Sequence, residues 1–335
     1  MRKLTLLTLL FLACGASHAA TLKIATVAPE ASSWMKEMRA SAKEIQELTG
    51  GRVQLKYYGG GVMGNDTKVL GKIRIGNLHG GAFTPSALQK IYPEISLYGL
   101  PLTFNSIDEV DYVRERLDQA IQDGLEEAGF VSFGFAAGGF AVLMSNVPVT
   151  SVSDLKSKKV WVPEGDPTSY ATMKALSLSP VTLPLTDVLT GLQTGLIDIV
   201  AMSPIGALVL QWHTKVKYIT DLPLTYTMGF LAIDKKAFGK LSPEDQEIVR
   251  EVMTRTYAKL NEANISDNAE ALQALLNTGI KKVELNEAEA NEIRSILQES
   301  NRDMAEQGEF SLQMYEQMLQ YLQEYRVGSE SAAGN

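Results

Sequence analysis

The sequence predicts an α/β fold of two lobes: two open sheets flanked by helices, with one long helix crossing both lobes. Three observations predict it. Strand-like and helix-like stretches alternate along most of the chain. The 335 residues suffice for two separate hydrophobic cores. From Pro243 no helix breaker occurs until Gly279, a stretch of roughly 35 residues that would run about 50 Å, farther than one small lobe extends.

The elements follow in order. Leu22 to Val27 reads as a strand. Ser32 or Ser33 then caps a helix with Trp34, Met35, Met38, Ala42, Ile45 and Leu48 at helical spacing, ended by Thr49-Gly50-Gly51. Val53 to Tyr58 is the second strand, broken by Gly59-Gly60-Gly61, and Asp66 opens a short helix to Arg74. Leu78 to Phe83 is a strand of small residues that meets Thr84-Pro85, a cap and first-turn proline. Ser106 caps the next helix, and Asp108 and Glu109 in its first turn complement the helix dipole. Val131 to Phe135 and Phe140 to Ser145 read as two strands joined across Ala136-Ala137-Gly138-Gly139. Val160 to Pro163 is a strand running into a turn, with Val160 and Val162 on one face and Trp161 on the other. Helices are expected at 168–176 and 186–194, a short strand at 181–183, and a strand buried on both faces at 196–202. Thr225 to Ile233 is another strand, Ser242-Pro243-Glu244-Asp245 opens the long helix, Asn286 caps a further one, and Phe310 to Tyr325 makes the last. Residues 20–146 with about 224–260 are expected to form lobe I, 147–223 with about 261–326 lobe II, and 327–335 a disordered tail. Hinges are expected at Val147-Pro148 and Leu222-Pro223.

Residues 1–19 read as an export signal: Arg2 and Lys3, an apolar run from Leu4 to Leu12, and Ser17-His18-Ala19 as the cleavage motif. The apolar run is too short for a permanent membrane span. The single cysteine, Cys14, lies inside this signal, so cleavage after Ala19 leaves a chain without disulfides. The formal charge of −8 and the lack of any basic run longer than two residues argue against a nucleic-acid partner.

Chemistry-bearing motifs are few. His79 and His213 have no partner at metal-ligand spacing, so no metal is expected. There is no Gly-x-Ser-x-Gly elbow, P-loop or dinucleotide fingerprint, so neither a cofactor nor covalent catalysis is expected. The Gly59–Gly64 stretch lacks the lysine that phosphate binding would require. An exported chain of two lobes without a catalytic constellation is better read as a binder than as an enzyme.

Ordered markers spread along residues 22–325 carry a resemblance. They include Leu48-Thr49-Gly50-Gly51-Arg52-Val53, Gly61-Val62-Met63-Gly64-Asn65-Asp66 and Leu100-Pro101-Leu102-Thr103-Phe104. Farther on come Val160-Trp161-Val162-Pro163, Leu192-Gln193-Thr194-Gly195-Leu196-Ile197-Asp198 and Leu241-Ser242-Pro243-Glu244-Asp245-Gln246. The chain resembles the DctP-like solute-binding receptors of tripartite ATP-independent periplasmic (TRAP) transporters. That resemblance implies a two-lobed periplasmic-binding-protein fold, a periplasmic location, no enzymatic activity, and delivery of a ligand to membrane permease subunits. The alternative within the same fold is a sensor or interaction protein that reports occupancy without transport.

The departures from the family pattern bear on the ligand. Family members that bind organic acids carry a ligand-clamping arginine where this chain has Trp161, and often a second where it has Ala141 after Gly139-Phe140. A polar Asp-Gly-Gln-Glu-Asn stretch becomes Asp198-Ile199-Val200-Ala201-Met202. The resemblance is to the subgroup associated with tetratricopeptide-repeat proteins, which implies such a partner and hydrophobic or amphipathic ligands, lipid-like ones included. Trp161, Phe140, Ala141, Val200 and Met202 are the expected ligand-lining residues, with Phe83 and Trp34 counted alongside them. A small organic acid bound without the arginine is the alternative ligand.

Overall fold

A computed structural model of the chain describes residues 19–333. The export signal expected over 1–19 therefore lies outside the described residues, Ala19 excepted. Ten strands and twelve α-helices form the described fold. The N-terminal half holds β1 (Ala20–Thr26), α1 (Ser33–Leu48), β2 (Val53–Tyr58), α2 (Asp66–Arg74), β3 (Gly80–Phe83), α3 (Pro85–Leu88), α4 (Ile107–Glu127), β4 (Phe130–Val131) and β5 (Ala136–Ser145). The middle adds α5 (Val152–Leu155), β6 (Trp161–Pro163), α6 (Pro167–Ala175), β7 (Val181–Leu183), α7 (Val188–Thr194), β8 (Ile199–Met202) and α8 (Pro204–Val209). The chain ends with β9 (Tyr218–Asp234), α9 (Lys235–Phe238), α10 (Pro243–Asn277), β10 (Lys281–Val283), α11 (Glu287–Glu306) and α12 (Leu312–Ala333).

The helix starts follow local hydrogen-bond chemistry. Ser32, Asn65, Ser106, Ser242 and Asn286 each accept the backbone N–H three residues on, which satisfies a donor the helix leaves free. Leu22, Ile24, Val53, Leu55 and Tyr57 alternate into the core because strand side chains point to opposite faces.

The two expected sheets are joined into one. Strand order runs β2-β1-β3-β9-β5-β8, with β4 and β10 also pairing with β9, while β6 and β7 form a separate parallel pair. The joining element is β9, which begins at Tyr218 rather than near Thr225 and passes through both lobes antiparallel to β5. The Ala136–Gly139 segment, expected to link two strands, lies inside β5, whose ladder shifts register between Ala137 and Gly139 and again between Ala141 and Leu143. At the second shift Ala141 faces Thr225 and Leu143 faces Thr220, so Asp221 to Leu224 bulge out of the ladder. Pro223, which has no N–H to donate, sits in that bulge.

Lobe I has one core, drawn from Leu22 to Ala137, from Tyr226 to Leu260 and from Met304 to Leu322. Lobe II packs separate clusters, one with Val160, Val162 and Leu297 and another with Trp161, Val200 and Trp212. The lobes are therefore crossed within β5, within β9 near Thr225, and along α10. Val147-Pro148 is not a crossing: it follows β5, and the adjoining Val149 already belongs to a lobe II core.

The C-terminal region corrects two expectations. First, α12 packs against α4 and contributes Tyr315, Met318 and Leu322 to the lobe I core, although residues 261–326 were assigned to lobe II. The reason is chemical as well as apolar: Arg326 pairs with Glu109 of α4 at 2.8 Å. Second, helix continues through 327–333, where a tail was expected; the alanines and glutamate of this stretch favour helix, and the Arg326 anchor holds the preceding turn. No helix among the described residues is long and apolar enough to cross a membrane.

Candidate functional site

A cleft of about 410 Å³ lies between the lobes, within the size range of small-molecule sites. Lobe I supplies Trp34 from the start of α1, Phe83 from the end of β3, and Tyr226 and Met228 from β9. Lobe II supplies Trp161 from β6, Met173 from α6 and Met202 from β8. These side chains converge because strand ends and helix starts meet on the same side of each sheet. The described lining residues include no lysine, arginine or histidine.

Trp161 is both core and cleft wall. It is 5% exposed, stands edge-on to Trp212 with ring centroids 5.2 Å apart, and donates its indole N–H to the Leu183 carbonyl at 2.9 Å. Its one polar group is thereby used within lobe II, and the ring offers the cleft an apolar surface. Phe83 owes its place to a glycine: a β-carbon at Gly81 would lie 2.3 Å from the Phe83 ring. Trp34 stands edge-on to Tyr257 at 6.4 Å while lining the cleft. Ala141 also lines it.

Two of the seven expected residues lie elsewhere. Phe140 does not line the cleft; strand alternation turns it away from the Ala141 side, where it packs edge-on to Tyr226 at 5.9 Å in lobe I. Val200 is fully buried in a lobe II core, and its neighbours Ala201 and Met202, nearer the strand end, reach the cleft instead.

Polar groups on the cleft walls pair with one another across the lobes. Gln89 donates to the Thr168 hydroxyl at 2.5 Å, both side chains being buried. At the rim Asn65 donates to exposed Glu164 at 2.9 Å. Asp66 and Asp166 complete an acidic set. Burial, reinforced by the Glu164 charge, pushes the Asp66 carboxyl up to about 6. Burial also raises Asp166, against the hydrogen bonds it accepts from Ser169 and the backbone of Thr168. The buried cation nearest these walls is fully engaged behind them. Arg114 donates to Asp118, to the Tyr226 hydroxyl at 3.0 Å, to Asn261 at 2.7 Å and to the Phe135 carbonyl at 2.8 Å.

Gln89, Asp66, Glu164, Thr168, Tyr226 and Met173 were not singled out from the sequence. Asp66 and Glu164 stood in legible places, a glycine-rich marker and the turn after the Trp161 strand. Gln89 has no sequence signal, because its pairing joins positions 79 residues apart. Among the described residues no group of three or more His, Cys, Asp or Glu side chains could hold a metal ion.

Comparison with known proteins agrees with this architecture. A solute-binding protein of Roseobacter denitrificans is 27% identical over 232 residues, covering 68% of this chain and 70% of that protein. The sugar acid binding protein DctPAm of Advenella mimigardefordensis, solved with galactonate, superposes with a TM-score of 0.84 at 18% identity over 91% of this chain and 98% of that one. A TRAP periplasmic solute binding protein of Haemophilus influenzae, solved with L-gulonate, gives 0.82 at 20% identity over 91% and 99%. At such identities the two structures establish the fold. The model of the DctP family, described as bacterial extracellular solute-binding protein family 7, matches residues 24–307, and the chain belongs to that family.

Proposed function

We propose that this chain is the periplasmic receptor of a TRAP transporter, capturing a predominantly apolar small molecule in the interlobe cleft for delivery to a membrane permease. One observation carries the ligand class: the described lining has no cationic side chain, and its walls are built from Trp34, Phe83, Trp161, Met173, Met202 and Met228. Burying an organic anion there without a cation would be costly. Asp66, Glu164 and Asp166 add to that cost. The reading therefore narrows the ligand's polar end to an uncharged or cationic group. The absence of arginine at Trp161 also supports the subgroup associated with tetratricopeptide-repeat partners.

A second reading, a small organic acid held by hydroxyl and amide donors, is favoured by the ligands of the fold relatives and by Thr84, Ser86 and Thr168 on the walls. A thermal-shift panel separates the two. Medium-chain alcohols and amines are expected to raise the melting temperature in a dose-dependent way, while gulonate, galactonate and dicarboxylates leave it unchanged. Stabilisation by the acids alone would reverse the assignment.

A further inference from the structure

Behind the lobe II wall lies a second, smaller void of about 20 Å³. Four residues, Leu143, Val160, Met173 and Leu224, line both the void and the cleft, so one layer of side chains separates them. The origin of the void is visible in the ladder. Where β9 bulges at Asp221–Leu224 opposite β5, Leu222 and Leu224 both turn toward this space. Leu176 and Ile293 close the far side. The one hydroxyl there, on Ser151, is already bonded to Asp154 N–H and Ser153. A water would find too few partners, and an apolar void of this kind stays dry. Its walls lack part of their dispersion contacts, which a hydrocarbon group would restore.

We infer that the void is the end of the ligand site: an unbranched alkyl chain bound in the cleft extends into lobe II between β5 and α11, with Met173 as the movable partition. Met173 suits that role. It is unbranched and flexible, and it stands on α6, whose first turn carries the Thr168 partner of Gln89. Leu143, Val160 and Leu224 sit on or beside strands and move less readily. This inference rests on the apolar reading of the cleft and specifies it: the ligand is a chain rather than a compact ring.

The test is a chain-length series of straight 1-alkanols, from hexanol to dodecanol, titrated calorimetrically into the full mature protein. For wild type, affinity should rise about fourfold per methylene until the chain fills cleft and void, then level off. Leu176→Phe fills the void from its far side without touching the cleft. It should move the levelling point about one carbon shorter, as a void of about 20 Å³ has room for roughly one methyl-sized group, and leave hexanol affinity unchanged. Ile293→Phe fills it from α11 and should do the same, which covers the case in which Leu176→Phe fails to fold. Met173→Ala should strengthen the longest chains selectively. An unmoved levelling point in the folded filling variants, with wild type still binding alkanols, overturns the extension alone. No alkanol binding to wild type at any length overturns both the extension and the apolar reading.

Discussion

Trp161 stands where a charge would give the cleft a different ligand, and its surroundings show what holds it there. Packing on Trp212 and the hydrogen bond to the Leu183 carbonyl fix the ring, so truncation costs both burial and a partner. Trp161→Ala should destabilise the protein by about 3–5 kcal/mol, read from the urea midpoint. Trp161→Phe should keep most of the burial and lose about 0.5–1.5 kcal/mol for the one hydrogen bond, since the Leu183 carbonyl still accepts from Glu164 N–H. Asp66 makes a pH prediction. Its carboxyl is raised in the folded state to about 6, above the ordinary value of 3.8, so the native state binds more protons than the unfolded chain between those values. Stability should therefore fall as pH rises from about 4 to about 6 and level off above, with an amplitude on the order of 1 kcal/mol after solvent screening. Asp66→Asn should flatten that step in denaturant midpoints measured across the range. At this scale the sequence was only partly legible. Trp161, Ala141 and Met202, expected from matched family positions, and Phe83 and Trp34, counted alongside them, all line the cleft. Phe140 and Val200 were misplaced because matching a family position says nothing about which side of a strand faces the cleft. Gln89 was invisible because its partner comes from the other lobe.

Among the elements, α10 carries the most long-range structure. Three asparagines at helical spacing face the irregular part of β5 and α8. Asn261 accepts from Ala137 N–H and from Arg114, Asn264 donates to the Ala137 carbonyl, and Asn268 accepts from Ile205 N–H. Gly139, at φ 81°, leaves room for this contact, since a β-carbon there would fall 1.9 Å from the Asn268 amide. Asn261→Leu strips acceptors from a backbone N–H and from a buried guanidinium, and should cost about 2–3 kcal/mol in urea unfolding. On α12, the Arg326 pair holds the mostly buried Glu109 carboxylate. Burial alone would raise that carboxyl, and the bonds from Arg326 and the Asn105 backbone bring it below its usual range. Arg326→Ala should cost about 1–2 kcal/mol and speed amide exchange first along α12. The long helix was legible from Ser242-Pro243 and the absence of breakers. The full length of β9 was not, because Pro223 looks like a strand stop and becomes tolerable only inside a bulge.

For the whole molecule, two lobes are joined by β5, β9 and α10 and meet across the cleft through Gln89–Thr168 and Asn65–Glu164. Each of those bonds is worth about 0.5–1.5 kcal/mol net, or roughly two- to tenfold in the ratio of closed to open forms. Gln89→Leu with Asn65→Ala should open the ligand-free protein, seen as a larger radius of gyration in small-angle scattering, and should speed ligand release. The two-lobed plan was readable from alternating elements and chain length, whereas the place of α12 on lobe I depended on a pairing 217 residues apart. The central claim is that this cleft, without a cation in its described lining, selects an apolar molecule. Denaturing mass spectrometry of an organic extract from protein purified out of its native host tests it most directly. The account predicts a near-stoichiometric compound with a hydrocarbon body and no free carboxylate; a sugar acid or small dicarboxylate in that extract would contradict it.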